Sequence, residues 1–256
     1  MGNSNSDFEK FSNITIQEIK PLNYNENYFY QFESRQSKQL NQLKQGLSSH
    51  QMKVHFNEHY VKVYVKNTNE FIKKNPELYI EIMTKLNIKD INLLTPTYVL
   101  SDNSKFLQSL YFDCNNENAQ HNIGQLFYHM LFFSGLTSKN ISLKTFMTHR
   151  AHIFKTTENQ ELFNKNYTEI TKKHFASGWA CFIYDKNKDM LKIIDTQDHI
   201  IPKLEYNNFM VYVVDLWEHA FYIDYEADKL QYHKDVLKYI NWNIIYETIE
   251  YYRTKS

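Results

Sequence analysis

The sequence predicts an α+β protein, helical in its first half and mixed in its second, and three observations carry that prediction. Leu47 to Tyr60 and Asn122 to Phe133 mix polar and apolar residues in the way long helices do. The apolar, β-branched run Phe209 to Val214 reads as a buried strand. Asp185-Lys186-Asn187-Lys188-Asp189 reads as a turn that leads into a return strand, Met190 to Asp195.

Composition narrows the class. A chain of 256 residues suits one or two domains with ample core, and twenty tyrosines with eighteen phenylalanines supply aromatic burial. Twenty-nine basic residues balance twenty-nine acidic ones without a long block of either sign, so no nucleic-acid partner is expected. Cys114 and Cys181 cannot make a disulfide framework and read as reduced core residues. The longest apolar stretches, Leu126 to Phe133 and Phe209 to Trp217, are too short to cross a bilayer. Met1-Gly2-Asn3-Ser4-Asn5-Ser6 fits the myristoylation pattern, which would suit a cytoplasmic protein. Asp7, Glu9 and Glu18, with no Arg before Arg35, argue against an ordinary cleavable presequence.

Along the chain, residues 1–40 read as an extension that wraps the body or stays mobile. A serine cap at Leu47-Ser48-Ser49 opens the first long helix. Pro76, a helix-like run from Leu78 to Leu86 and the breakers Thr95-Pro96-Thr97 mark an insertion around residues 70–105. Composition changes after Ser134-Gly135-Leu136-Thr137, and residues 141–172 read as helical. The expected division is therefore an extension (1–40), a helical hairpin domain (41–138) and a C-terminal α/β domain (139–256).

The stretch Asp215-Leu216-Trp217-Glu218-His219 follows the strand at Phe209 to Val214, so Asp215 is expected at a strand-to-helix junction. His219, four positions on, would share its helical face, which is how two ligands of one metal are commonly supplied. The same residues also fit an Asp-x-x-Glu capping box that needs no metal.

Asp-Leu-Trp-Glu-His-Ala-Phe-Tyr at 215–222, running into Asp224-Tyr225 and Ile240-Asn241-Trp242, resembles the signature of the iron/manganese superoxide dismutases. The resemblance implies a small three-stranded antiparallel sheet flanked by helices in the C-terminal domain. It also implies one iron or manganese ion per subunit, iron ahead of manganese, held by His55, His129, Asp215 and His219. By the same resemblance His59 lines the substrate entrance, Trp179 covers the metal pocket, and Gln125 hydrogen-bonds the solvent on the ion. His199, counted back from Pro202, stands where some members send a side chain to that same solvent, so Gln125 and His199 compete for one position.

The pattern departs from the family in four places. Val63 stands where the gateway tyrosine is expected and Tyr64 comes one residue later, which a π-bulge would absorb. Phe132 and Phe133 follow the second ligand with no tryptophan, and Ala176 replaces a glycine. From His55 to His129 is 74 positions, long for the family's hairpin.

The activity implied is dismutation of superoxide to dioxygen and hydrogen peroxide in a homodimer. There Glu218 would reach the other subunit's copy of His219, and Tyr222 its copy of His59. The expected setting is mitochondrial, with a cytoplasmic, N-myristoylated protein as the alternative. The competing expectations are a dismutase fold recruited, through the extension or the insertion, as an inactive subunit of a larger mitochondrial ribosomal or respiratory assembly, and a metal-binding module without turnover.

Overall fold

A computed structural model describes residues 14–22, 47–92, 100–136 and 153–254. The Gly2 pattern, the boundary expected at residues 138–139 and the stretch 141–152 lie outside them.

Ser48, in extended backbone, accepts from the amide of Gln51 and starts α1 (Ser49–Val54). The helix continues through an eleven-residue π-helical segment, His55–Val65, into α2 (Lys66–Lys74). The extra residue is absorbed here: the wider turns carry Tyr64 inward, 7% exposed, and leave Val63 facing out, 37% exposed. Within the insertion, Pro76 opens α3 (Pro76–Lys85), where its missing N–H costs nothing.

Residues 14–22 lie along this hairpin. Asn69 exchanges two hydrogen bonds with the backbone of Ile19, Asn92 bonds Lys20 N and the Glu18 carbonyl, and Leu22 N donates to the Tyr60 hydroxyl. This part of the expected extension wraps the body and ties the insertion to the first helix.

Ser101 caps α4 (Asp102–Asp113), and Asn116 caps α5 (Glu117–Ser134). Every residue of α5 from Ile123 to Phe133 is buried, because the π segment, α2, α4 and the sheet surround it. α6 (Thr157–Lys173) then precedes the sheet.

The strands are β1 (Gly178–Asp185), β2 (Met190–Gln197) and β3 (Asn208–Asp215), antiparallel in the order β2-β1-β3. Central β1 is buried along its whole length, with α6 against β1 and β2 and α5 against β3. A bulge between Phe182 and Ile183 shifts the β1–β3 register, and Trp179 pairs with Asp215 at the far end. Cys114 and Cys181 are buried free thiols. Among the described residues no helix is long and apolar enough to cross a membrane.

The chain after β3 differs from expectation. Instead of an α-helix opening at Asp215, Trp217 stays extended and a 3₁₀ turn covers Glu218–Ala220. α7 (Tyr222–Tyr225), α8 (Lys229–Val236), a second 3₁₀ turn (Leu237–Tyr239) and α9 (Trp242–Thr254) follow. The cause is local: Asp215 Oδ1 accepts from Trp217 N at 2.8 Å, two residues on, which holds the backbone out of a helix and replaces the Asp-x-x-Glu box.

α5 and the turn after β2 touch at Gly124, where an added Cβ would stand 2.3 Å from the His199 carbonyl oxygen. Gly124→Ala should therefore destabilise the protein by about 1–3 kcal/mol despite alanine's better helix propensity, read as a lowered urea midpoint. An unchanged or raised midpoint would show that this turn yields freely.

Candidate metal centre

Four side chains from four elements meet at the sheet's end. His55 opens the π segment, His129 lies in α5, Asp215 is the last residue of β3, and His219 sits in the following 3₁₀ turn. One donor atom from each lies within 4.8 Å of all the others. Asp215 Oδ2 is 3.1 Å from His55 Nε2, 3.3 Å from His219 Nε2 and 3.7 Å from His129 Nε2, and the last two nitrogens are 3.3 Å apart. His219 reaches the carboxylate without the helical turn expected between them.

The donor set fits a cation. His129 Nδ1 donates to the Gln125 carbonyl at 2.8 Å, so its Nε2 presents a lone pair to the cluster. His55 Nε2 lies close to the carboxylate but off the line of a hydrogen bond, and neither of its ring nitrogens has a protein partner. Buried nitrogen lone pairs beside a carboxylate repel one another unless a cation stands between them. Two donors each about 2.1 Å from one first-row ion stand roughly 3.0–3.6 Å apart at right-angle to trigonal openings, close to the spacing here. Three imidazoles and a carboxylate are borderline ligands suited to iron, manganese or zinc.

Electrostatics keep His55, His129 and Asp215 in ligand form. Burial pushes His55 down to about 4, against the opposing pull of the nearby Asp215 carboxylate, and burial with the charge of His55 pushes His129 well below the usual histidine range. Burial alone would raise the Asp215 carboxyl, but His219 and His55 outweigh it and hold it below the usual carboxylate range.

The surroundings divide into a dry wall and a polar mouth. Trp179, wholly buried, stands edge-on to His129 with centroids 5.0 Å apart, and Phe132 and Phe133 pack on His55 at 5.6 and 4.8 Å. On the other side half-buried His59 stacks on His219 at 4.4 Å, and Tyr64 lies 4.8 Å from His129. Burial, then the Asp215 charge, raises the Tyr64 phenol above its ordinary range, so it stays protonated; burial lowers His59. Gln125 is wholly buried one turn before His129, with no protein partner for either amide atom. Glu218 and Tyr222 are exposed beside this mouth.

His199 is the expected residue that the structure does not bring to the cluster. Its Nδ1 meets His121 Nδ1 at 3.1 Å, and among the described residues no hydrogen bond, ion pair or ring contact joins it to any of the four. Two residues escaped the sequence reading. Gln51, one turn before His55, donates to the His219 carbonyl and accepts from Ile223 N, clasping one ligand's helix to another ligand's turn. His121 packs near Tyr64 and Trp217. The even, one-turn spacing of His121, Gln125 and His129 was the available signal.

Comparison with known proteins agrees with this geometry. Residues 147–248 match the iron/manganese superoxide dismutases, C-terminal domain, a span that includes Asp215 and His219. A manganese superoxide dismutase of Acinetobacter baylyi is 28% identical over 212 residues, covering 81% of this chain and 82% of the relative. An iron superoxide dismutase of Plasmodium falciparum is 32% identical over 88 residues, covering 34% of this chain and 44% of the relative. A chloroplastic iron superoxide dismutase of Arabidopsis thaliana is 23% identical over 207 residues, covering 80% and 69%.

The lowered histidines set a pH dependence. In the metal-free protein the unfolded chain takes up protons below about pH 6.5, while His55 resists down to about 4, so stability falls with pH across that window. Asp215 acts in the same sense only below the usual carboxylate range. Between pH 7 and 5 the unfolding free energy of metal-free protein should drop by about 2 kcal/mol through His55 alone. Urea titrations at the two pH values measure it; a flat result would mean that the imidazoles are not held neutral.

Proposed function

We propose, on the premise that the chain belongs to the iron/manganese superoxide dismutase family, that it dismutes superoxide at the His55, His129, Asp215 and His219 centre. The observation that carries this is the buried meeting of three imidazoles and one carboxylate within 4.8 Å. When bound, iron or manganese supplies one-electron chemistry: one superoxide gives up an electron and leaves as dioxygen, and a second takes an electron and two protons and leaves as hydrogen peroxide. Either ion suits the donor set, and we place iron first because, by the family resemblance, it is the iron-type members that carry this glutamine at the position of Gln125.

The chain's own groups do the rest. Asp215 offsets the ion's charge, and the Gln125 carbonyl fixes the His129 ring with its lone pair inward. Trp179, Phe132 and Phe133 keep water from one side. Protons enter past His59 and Tyr64, whose phenol holds its proton at neutral pH, and the Gln125 amide can hydrogen-bond the solvent on the ion.

We further propose a homodimer across the mouth. Glu218 and Tyr222 are exposed on the segment that carries half-buried His219, which stacks on His59, and so are open to a second copy. An organellar setting, mitochondrial first, has a precedent in the chloroplastic plant relative.

Purified protein should hold about one iron or manganese per chain and remove superoxide in a cytochrome c competition assay. Asp215→Asn and His129→Ala should each cut metal content and lower activity more than about 100-fold, beyond what loss of an outer partner costs. Bound metal without activity would defeat the dismutase reading, and absence of metal would favour a recruited scaffold.

A further inference from the structure

Gln125 and His199 cannot both serve one position on the ion, and the structure shows what separates them. His121 stands on α5 one turn before Gln125, which stands one turn before His129. Its Nδ1 lies 3.1 Å from His199 Nδ1, with the rings edge to face at 4.8 Å. Two neutral imidazoles in that contact share a single proton: one ring carries Nδ1–H and the other its bare Nδ1.

The rest of His199 is held on the same side. Its carbonyl oxygen and Cβ press on Gly124, the residue between His121 and Gln125 on this side of α5, and Tyr111 packs edge-on to its ring at 6.2 Å. From that anchor point the side chain could turn along α5 toward His121 or toward Gln125. It turns to His121. Gln125 keeps a wholly buried amide with no protein partner, on the helix face that also presents His129.

We propose that His121 is a positioning residue that holds His199 out of the metal pocket and thereby leaves Gln125 as the one side chain of the competing pair inside it. The His121 ring also lies 6.4 Å from Tyr64 and 6.5 Å from Trp217, so the same residue closes the pocket's edge behind the turned-away imidazole. The consequence for the ion rests on the dismutase reading; the latch between the two histidines does not.

The test uses the full chain in two arms. In metal-free protein labelled with ¹⁵N-histidine, long-range ¹H–¹⁵N spectra should show complementary tautomers for His121 and His199, one protonated at Nδ1 and the other at Nε2, and His121→Phe should abolish that relation. Matching Nε2–H tautomers on both rings would overturn the latch even if the protein takes up no metal.

In protein loaded with iron or manganese, the visible absorption bands read the ion's surroundings. His199→Ala should leave them unmoved, His121→Phe should shift them, and the double variant His121→Phe/His199→Ala should restore the original bands. A shift in His199→Ala like that in Gln125→Ala would overturn the proposal, as would a double variant that stays shifted. Metal binding with the expected band pattern but no superoxide removal would sink the dismutase reading and leave this one standing.

Discussion

A carboxylate with no exposure to water, beside two imidazoles, His55 and His129, that burial keeps neutral, is the constraint on which this molecule turns. Asp215 receives one backbone hydrogen bond, from Trp217 N, and otherwise faces ring nitrogens. A buried charge so poorly compensated costs several kcal/mol, which a cation recovers. Metal affinity and fold stability are thus coupled, since a preformed ligand cluster exists only in the folded chain. The elements serve that convergence: α5 lies against both the π segment and β3, and Gln51 clasps the His219 carbonyl from the helix that carries His55. Ser48 adds a second tie, its amide donating to Asp224 beyond the His219 turn.

Much of this arrangement was legible in the residues because it rests on local patterns. The β-branched run at 209–214 became β3, the charged turn at 185–189 joined β1 to β2, and the serine before α1 capped it. The displaced tyrosine was also readable, since one residue too many in a helix has few places to go, and the π segment takes it up. What local patterns could not reveal were choices between equal short-range options. Asp215 could cap a helix or bond two residues ahead, and its own Trp217 amide decided for the second. Gln51 meets backbone groups 168 and 172 positions away, which no spacing rule announces. His199 turned to His121, 78 positions away, for reasons visible only once α5 and the sheet were packed.

The same packing explains why the pocket is unlike on its two sides. Phe132 and Phe133, standing where a tryptophan is expected, fill the wall by pressing on His55 and on each other, with centroids 5.3 Å apart. Phe133 also touches Phe56 and Tyr60, so the wall continues into the hairpin core and ends at the hydroxyl that accepts from Leu22 N. A rigid apolar wall backed by core aromatics leaves little room for the His55 ring to relax when a proton or an ion arrives. It also excludes water, which strengthens every interaction between Asp215 and what it faces.

On the opposite side the lining is made of groups that can carry protons, His59, Tyr64 and His121, packed around His219, His129 and Trp217. Burial lowers both histidines and raises the tyrosine, so near neutral pH these three rings are uncharged. In the function proposed here that balance has a use. A small anion entering past these neutral rings is not held by them short of the centre. Proton carriers that stay neutral at rest can then give up a proton at the centre and regain it from solvent through half-buried His59. The asymmetry between a dry wall and a neutral, proton-bearing mouth follows from which residues the π segment and α5 turn toward β3, and so from the same packing that gathers the four ligands.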